Sequence, residues 1–283
     1  MDVSVIIPCR NEERYITQCL DALSNQTCAK DRYEIIVVDN MSTDRTVEFA
    51  RSYPQVTLIQ EPKLGSYAAR NAGVRLSKGH ILAFTDADCV ADPDWLERIV
   101  DELSDGKTAL LVGSRRFGHE GLVVSSLADY EYEKARFVYA HHDPGLYYAY
   151  TNNLAVRREV FDRCGPFVEI ARGGDVVFAC EVIRALGCES VRFAPTVRIR
   201  HLEIDRWYSW LCKMWIYGKS YRGYHSLSKT RPLSYRQRFM ILRNAARRSR
   251  FPALQSCVLL ISGFAATVAF EAGRHIPWAE NMR

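Results

Sequence analysis

From Val3 onward, short apolar runs alternate with stretches of helical spacing. Val3–Ile7 is rich in β-branched residues and stops at Pro8, whereas Glu13–Ser24 repeats apolar residues at Ile16, Cys19, Leu20 and Leu23, one face of a helix. Glu34–Val38 predicts a second strand closing on Asp39, and Ser42–Ser52 a helix with Asp44 and Glu48 near its start. Val56–Gln60 reads as a third strand, Ser66–Ser77 as the next helix, and Ile81–Phe84 as a fourth strand that runs into Asp86. Strand and helix alternating over connections of a few residues predict an α/β fold, a mostly parallel sheet with flanking helices. In such a fold the ligand crevice lies at the carboxyl ends of the strands.

Polar residues fall at those ends three times: Arg10-Asn11-Glu12, Asp39, and Asp86 with Asp88. Residues i and i+2 of a strand share a face, so Asp86 and Asp88 are expected to leave the fourth strand on one side. Two carboxylates that close repel unless a cation or a proton relieves them. The first strand is followed by PCRNEE rather than a GxGxxG turn, and no GxxxxGK[ST] loop is present, so a backbone cradle for phosphate is missing. A phosphate group bound here calls for a metal ion, and the aspartate pair supplies ligands for one.

Five blocks carry a resemblance. VSVIIPCRNEE, EIIVVDNMSTDRT, AARNAGVRLSKG, ILAFTDADC and GGDVVFACEVIRALGCESVRFAPTVRIRH together resemble, in order and spacing, the family 2 glycosyltransferases, over roughly residues 3–201. The family implies inverting enzymes of the GT-A fold that use nucleotide-sugar donors. Carried over by position, the resemblance implies that Pro8, Arg10 and Glu12 line the nucleoside pocket and that Asp39 holds the base. It sets Arg70 and Asn71 near the donor's ribose and phosphates, and Asp86 at the ribose or the metal. Asp88 becomes the direct ligand of Mg²⁺ or Mn²⁺, Asp175 the catalytic base, and His201 a completing metal ligand. The residue types suit the chemistry: hard divalent cations take carboxylates plus substrate phosphates, and an acceptor hydroxyl needs a carboxylate to remove its proton. A surface ion pair between Arg10 and Glu12 is the plain alternative for those two. The family places Glu-Asp where this chain has Gly174-Asp175, which points to a variant subgroup, a changed acceptor or a weakened catalyst. The aromatic stretch Tyr130–Tyr150 is expected to pack under, or to line, the acceptor cleft.

Charge divides the chain. Residues 1–205 carry 24 basic and 31 acidic side chains, whereas 206–270 carry twelve basic and no acidic ones. That asymmetry predicts a GT-A domain over 1–205 and a basic, aromatic-rich helical region over 206–283 that meets something anionic. Residues 251–270 are twenty without a charge, about 30 Å as a helix, the thickness of a bilayer's hydrocarbon core. Arg243, Arg247, Arg248 and Arg250 precede them and predict a cytoplasmic end. Trp207, Trp210, Leu211, Met214, Trp215 and Tyr217, with Lys213 and Lys219 among them, read as a helix for a membrane interface. No nucleic-acid module accompanies the charge, so no nucleic-acid partner is expected. The nine cysteines show no two-residue spacing and read as reduced thiols, and the amino terminus lacks a signal-peptide pattern.

The expectation is therefore a metal-dependent inverting glycosyltransferase of polysaccharide biosynthesis at the cytoplasmic face of a membrane, anchored there by as much as one C-terminal transmembrane helix. It moves sugar from a nucleotide-sugar donor to a glycan or lipid-linked acceptor. Transfer to polyprenyl phosphate is the alternative within the class; a weakly catalytic sugar-nucleotide-binding membrane partner is the one outside it.

Overall fold

The computed structural model describes residues 1–117, 122–204, 206–249 and 251–275; Arg250 of the basic run lies outside them. The first half follows the predicted alternation: β1 (Val3–Cys9), α1 (Ile16–Ser24), β2 (Tyr33–Asp39), α2 (Thr46–Arg51), β3 (Val56–Gln60), α3 (Ser66–Leu76) and β4 (Ile81–Thr85). Both α1 and α2 begin later than their apolar spacing suggests, and for one reason. The loops after β1 and β2 are stitched together through side chains. Ser42 Oγ, Thr46 Oγ1 and Asp44 Oδ2 accept the backbone N–H groups of Asn11, Glu12 and Glu13, while Asn11 Oδ1 accepts that of Thr43. Side chains bonded to the backbone in this way hold both loops in turn conformations, so the helices start beyond them. Asn11 and Met41 take left-handed conformations to make the two turns (φ 58° and 66°).

Next come β5 (Cys89–Ala91), α4 (Trp95–Leu103), β6 (Leu110–Phe117), α5 (Leu122–His141), β7 (Asn153–Arg157), α6 (Arg158–Cys164), α7 (Gly174–Leu186) and β8 (Val191–His201). One eight-stranded sheet has the order β3-β2-β1-β4-β7-β6-β8-β5. β3, β2, β1 and β4 are parallel, as are β6 and β8. β7 runs antiparallel to β4 and β6, and β5 antiparallel to β8. Both sheet faces are covered, which is why the central strands read as continuous apolar runs rather than alternating ones. Val3, Val5 and Ile7 pack with Leu20 of α1 and Trp95 of α4 on one side; Ile6 packs with Phe84, Phe167 and Phe178 on the other.

α8 (Trp207–Ser228), α9 (Tyr235–Arg248) and α10 (Ala253–His275) complete the chain. They lie against the body that carries the sheet: Trp210, Ile241, Leu242, Leu259 and Ala266 share one buried cluster with Phe117, Val124, Leu127 and Tyr130. Glycines let α8 and α10 pack backbone to backbone. A Cβ on Gly218 would stand 2.0 Å from the Phe270 carbonyl oxygen, and one on Gly273 2.3 Å from that of Trp215, so the two helices run antiparallel. The expected interfacial helix is split in its roles. Trp207, Tyr208, Trp215 and Tyr217 are exposed, whereas Trp210 is buried and Lys213 points inward toward the site. Body acids also neutralise part of the basic region, since Arg231 pairs with Asp143 and Arg248 with Glu133.

Candidate active site

In register, β1 ends at Cys9 opposite Asp39 of β2, and β4 ends beside β1, so the three polar strand ends meet along one edge. A cleft of about 890 Å³ opens there, lined by Pro8, Arg10, Glu12, Asn40, Arg70, Asp86, Asp88 and His201, with Arg14, Arg172, Glu203 and Lys213 around them. The volume suits a nucleotide with its sugar. Arg10 lies on the cleft wall with no ion-pair partner among the described residues. Asp39 is buried at the back, where its carboxylate accepts the Ser42 N–H at 3.1 Å and Gln60 Nε2 at 3.4 Å, and its neighbour Asn40 reaches the cleft instead.

Arg70 and Asn71 part company. Arg70 is buried and pairs with Asp86. Asn71 donates to the Phe167 carbonyl at 2.9 Å and Glu169 Oε1 at 3.0 Å and accepts the Phe167 N–H, fastening α3 to the loop before α7. One residue is about 100° around a helix, so the two neighbours leave α3 in different directions.

Asp86 and Asp88 both line the cleft, but strand alternation does not bring them there. β4 stops at Thr85 and the chain turns, with the Cys89 N–H on the Asp86 carbonyl at 3.1 Å. Asp88 then turns in toward His201, because β5 pairs antiparallel with the end of β8, Cys89 opposite His201, and the Leu202 N–H meets the Asp88 carbonyl. Asp88 Oδ2 lies 3.5 Å from His201 Nε2. The ligand-type atoms of Asp88, Cys89 and His201 all fall within 4.8 Å of one another.

Electrostatics at this corner favour a cation. Burial first, then Asp86, pushes the Asp88 carboxyl up to about 7, with Lys213 opposing. Burial, then Asp88, Glu203 and Asp86, pushes Glu12 up to about 8. His201 is held well below the usual imidazole range by burial and by Lys213 and Arg115, so it is neutral, the form that binds metals. Its Nδ1 is buried without a hydrogen-bond partner among the described residues. Burial keeps Cys89 a thiol, which donates to Asp88 Oδ1 at 3.4 Å. Asp88 and His201, with Asp86 beside them, therefore fit a hard divalent cation. Sequence reasoning missed Lys213, whose Nζ lies 3.4 Å from His201 Nε2 and 2.7 Å from Glu203. Its helical spacing with Trp210 and Tyr217 was the available signal, and it read equally well as an interface lysine.

Asp175 opens α7. Its carboxylate accepts from Tyr67 Oη at 2.9 Å and from the Val176 and Thr151 N–H groups at 2.9 and 3.2 Å. Burial raises its pKa, against the opposing pull of Tyr67 and Arg70. It faces a second cavity of about 360 Å³, which shares Ser66, Arg70, Asp86, Asn152, Arg172 and Tyr217 with the cleft. Tyr130, Tyr147, Tyr148 and Tyr150 of the aromatic stretch line it, together with Gly263, Ala266 and Phe270 of α10.

The glycine before Asp175 has a steric cause. A Cβ at 174 would stand 2.6 Å from the Val168 carbonyl oxygen and 3.0 Å from the Tyr67 ring, leaving no room for glutamate. Gly174→Ala is expected to displace Tyr67 or the 168 loop, costing about 1–3 kcal/mol of stability as overpacking does. Urea denaturation measures the loss, and an unchanged midpoint would show that the loop yields freely.

A mostly parallel sheet with flanking helices and a cleft of mixed charge at its strand ends is the architecture of the GT-A class of nucleotide-sugar transferases. The chain belongs to glycosyl transferase family 2, whose profile matches residues 4–165. It is 38% identical to glycosyltransferase AglE of Haloferax volcanii over 180 residues, 62% of this chain and 59% of that one. It is 38% identical over 119 residues to the poly(ribitol-phosphate) β-glucosyltransferase of Bacillus spizizenii, 40% of this chain and 19% of the relative. The match thus spans less than two thirds of either relative's length. Among solved structures, the mannosyltransferase PcManGT of Pyrobaculum calidifontis, in complex with GDP-Man and Mn²⁺, superposes with a TM-score of 0.61 at 21% identity, covering 96% of this chain and 73% of its own. Staphylococcus aureus TarS 1–349 in complex with UDP gives 0.56 at 16% identity, covering 97% and 90%. The shared fold is GT-A.

Proposed function

We propose that this protein is a divalent-metal-dependent inverting glycosyltransferase that moves a sugar from a nucleotide-sugar donor to a glycan or lipid-linked acceptor at a membrane surface. The observation that carries the reading is the adjoining pair of cavities, one holding Asp88 and His201, the other Asp175, with Arg70 and Asp86 between them. In this reading Pro8, Arg10, Glu12 and Asn40 seat the nucleoside, with Asp39 bracing that wall from behind. Arg70 orients Asp86 and adds positive charge beside the phosphates, while Asn71 fixes the helix that carries Arg70. Asp88, Asp86 and His201 would hold Mg²⁺ or Mn²⁺, which when bound would supply Lewis-acid stabilisation for the diphosphate leaving group. The acceptor oxygen bonds to the anomeric carbon from the face opposite the diphosphate. The carbon–oxygen bond to phosphate breaks, its electron pair leaves on the nucleoside diphosphate, and the acceptor proton passes to the Asp175 carboxylate.

A lipid-linked acceptor is favoured by one further feature. α10 is long and apolar enough to cross a membrane, yet one face of it lines the cavity of Asp175 while Leu254, Ile261, Phe264 and Val268 lie exposed along another.

The test is donor binding by calorimetry, with a panel of nucleotide sugars, in Mn²⁺, Mg²⁺ or chelator. Affinity should collapse on chelation and in Asp88→Ala, and recover with metal in the wild type alone. Tight donor binding indifferent to chelator would remove the metal from the reaction.

A further inference from the structure

The cavity of Asp175 holds a second cluster of charge. Arg115 of β6 and Glu131 and Lys134 of α5 all line it. Glu131 Oε2 accepts from Arg115 at 3.1 Å, and Lys134 Nζ donates to both oxygens of the same carboxylate, at 2.7 and 2.6 Å. The three side chains are almost sealed from solvent, exposed by 13%, 6% and 19% for Arg115, Glu131 and Lys134. Two cations share one anion, so the cluster carries a surplus positive charge that no second carboxylate pairs with directly. Aromatic faces compensate in part: the Arg115 guanidinium lies 3.7 Å over the Tyr150 ring and the Lys134 ammonium 5.2 Å from that of Tyr148. The Tyr148 hydroxyl, on the same cavity, is buried with no hydrogen-bond partner among the described residues. Surplus positive charge and an unspent hydroxyl in the cavity of Asp175 suit a ligand that brings an oxyanion.

We propose that this cavity is the acceptor subsite and that it selects acceptors bearing an oxyanion, a phosphate or a carboxylate, seated on Arg115, Lys134 and Tyr148. The inference rests on the glycosyl-transfer reading above and names its substrate class. The oxyanion completes the charge balance of the cluster, and the hydroxyl to be glycosylated lies toward Asp175 in the same cavity. A lipid phosphate and an acidic sugar share this chemistry.

Calorimetry on the full chain in detergent separates them, with farnesyl phosphate against farnesol and methyl glucuronide against methyl glucoside. UDP and GDP binding with Mn²⁺ is measured on the same samples. At least one anionic probe should bind tenfold or more tightly than its neutral counterpart, and which one does assigns the source. Lys134→Met, which leaves the balanced Arg115–Glu131 pair, should weaken that probe by tenfold or more with nucleotide affinity unchanged. Lys134→Arg should retain it. Equal binding of charged and neutral probes, binding of nucleotide but of no probe, or wild-type affinity in Lys134→Met overturns the proposal. Loss of nucleotide binding in the wild type would instead strike the glycosyl-transfer reading. Should Lys134→Met not fold, the paired probes on the wild type and Lys134→Arg still decide.

Discussion

Asp175→Asn is expected to lower turnover by roughly 10²–10⁴-fold, the contribution of a positioned general base, while leaving nucleotide affinity within about twofold. Asparagine keeps the Oδ1 that accepts the Tyr67 hydroxyl and the Val176 N–H, and gives up only the 3.2 Å bond from the Thr151 N–H to Oδ2, so the fold should survive while the proton acceptor is lost. Because burial raises the Asp175 pKa, the wild-type rate should fall, as pH is lowered, at a pH above the ordinary aspartate range. Below that point the group is protonated and cannot act as a base. Single-turnover transfer and nucleotide binding, measured side by side, separate the two effects. Near-normal transfer by the variant would send the search for a base to another carboxylate.

Ile261→Asp together with Phe264→Asp should release the protein from membranes. The two side chains are 69% and 72% exposed on the outer stripe of α10, whereas its inner face, Leu259, Gly263 and Ala266, packs on the body. The substitutions therefore leave the core untouched. Burying an isoleucine or phenylalanine side chain is worth about 1.5–3 kcal/mol, so losing both should reduce partitioning by roughly a hundredfold or more. Arg236, Arg243 and Arg247, exposed on α9, add about 1 kcal/mol each near an anionic leaflet, and salt screens that part alone. Sedimentation with anionic vesicles across a salt series is the measurement. Wild-type protein should stay bound in high salt and the double variant should wash off. If the wild type remains in the supernatant at low salt, the stripe is not a membrane surface, and the acceptor need not be lipid-linked.

Much of the donor half was legible because its signals are local. Apolar runs ending in polar residues place strands and their carboxyl ends, and parallel pairing then gathers Arg10, Glu12, Asp86 and Asp88 along one edge. What local signals misjudged were the starts of α1 and α2, where two loops trade side-chain hydrogen bonds across a large separation in sequence. They also treated Arg70 and Asn71 as one feature, although a single step around α3 sends one to Asp86 and the other to the Phe167 loop.

By itself, then, the sequence determined the α/β alternation, the acidic strand end and the uncharged stretch 251–270 that makes most of α10, each written in neighbouring residues as period, charge or composition. Tertiary structure alone decided that β5 would lay Asp88 against His201 and that Lys213 would turn inward to that pair. It also decided that Val168 would leave room only for glycine before Asp175, and that α10 would wall the cavity holding Glu131 between two cations. Those outcomes come from contacts between distant segments. Their free energy depends on packing and burial that no stretch of sequence carries alone.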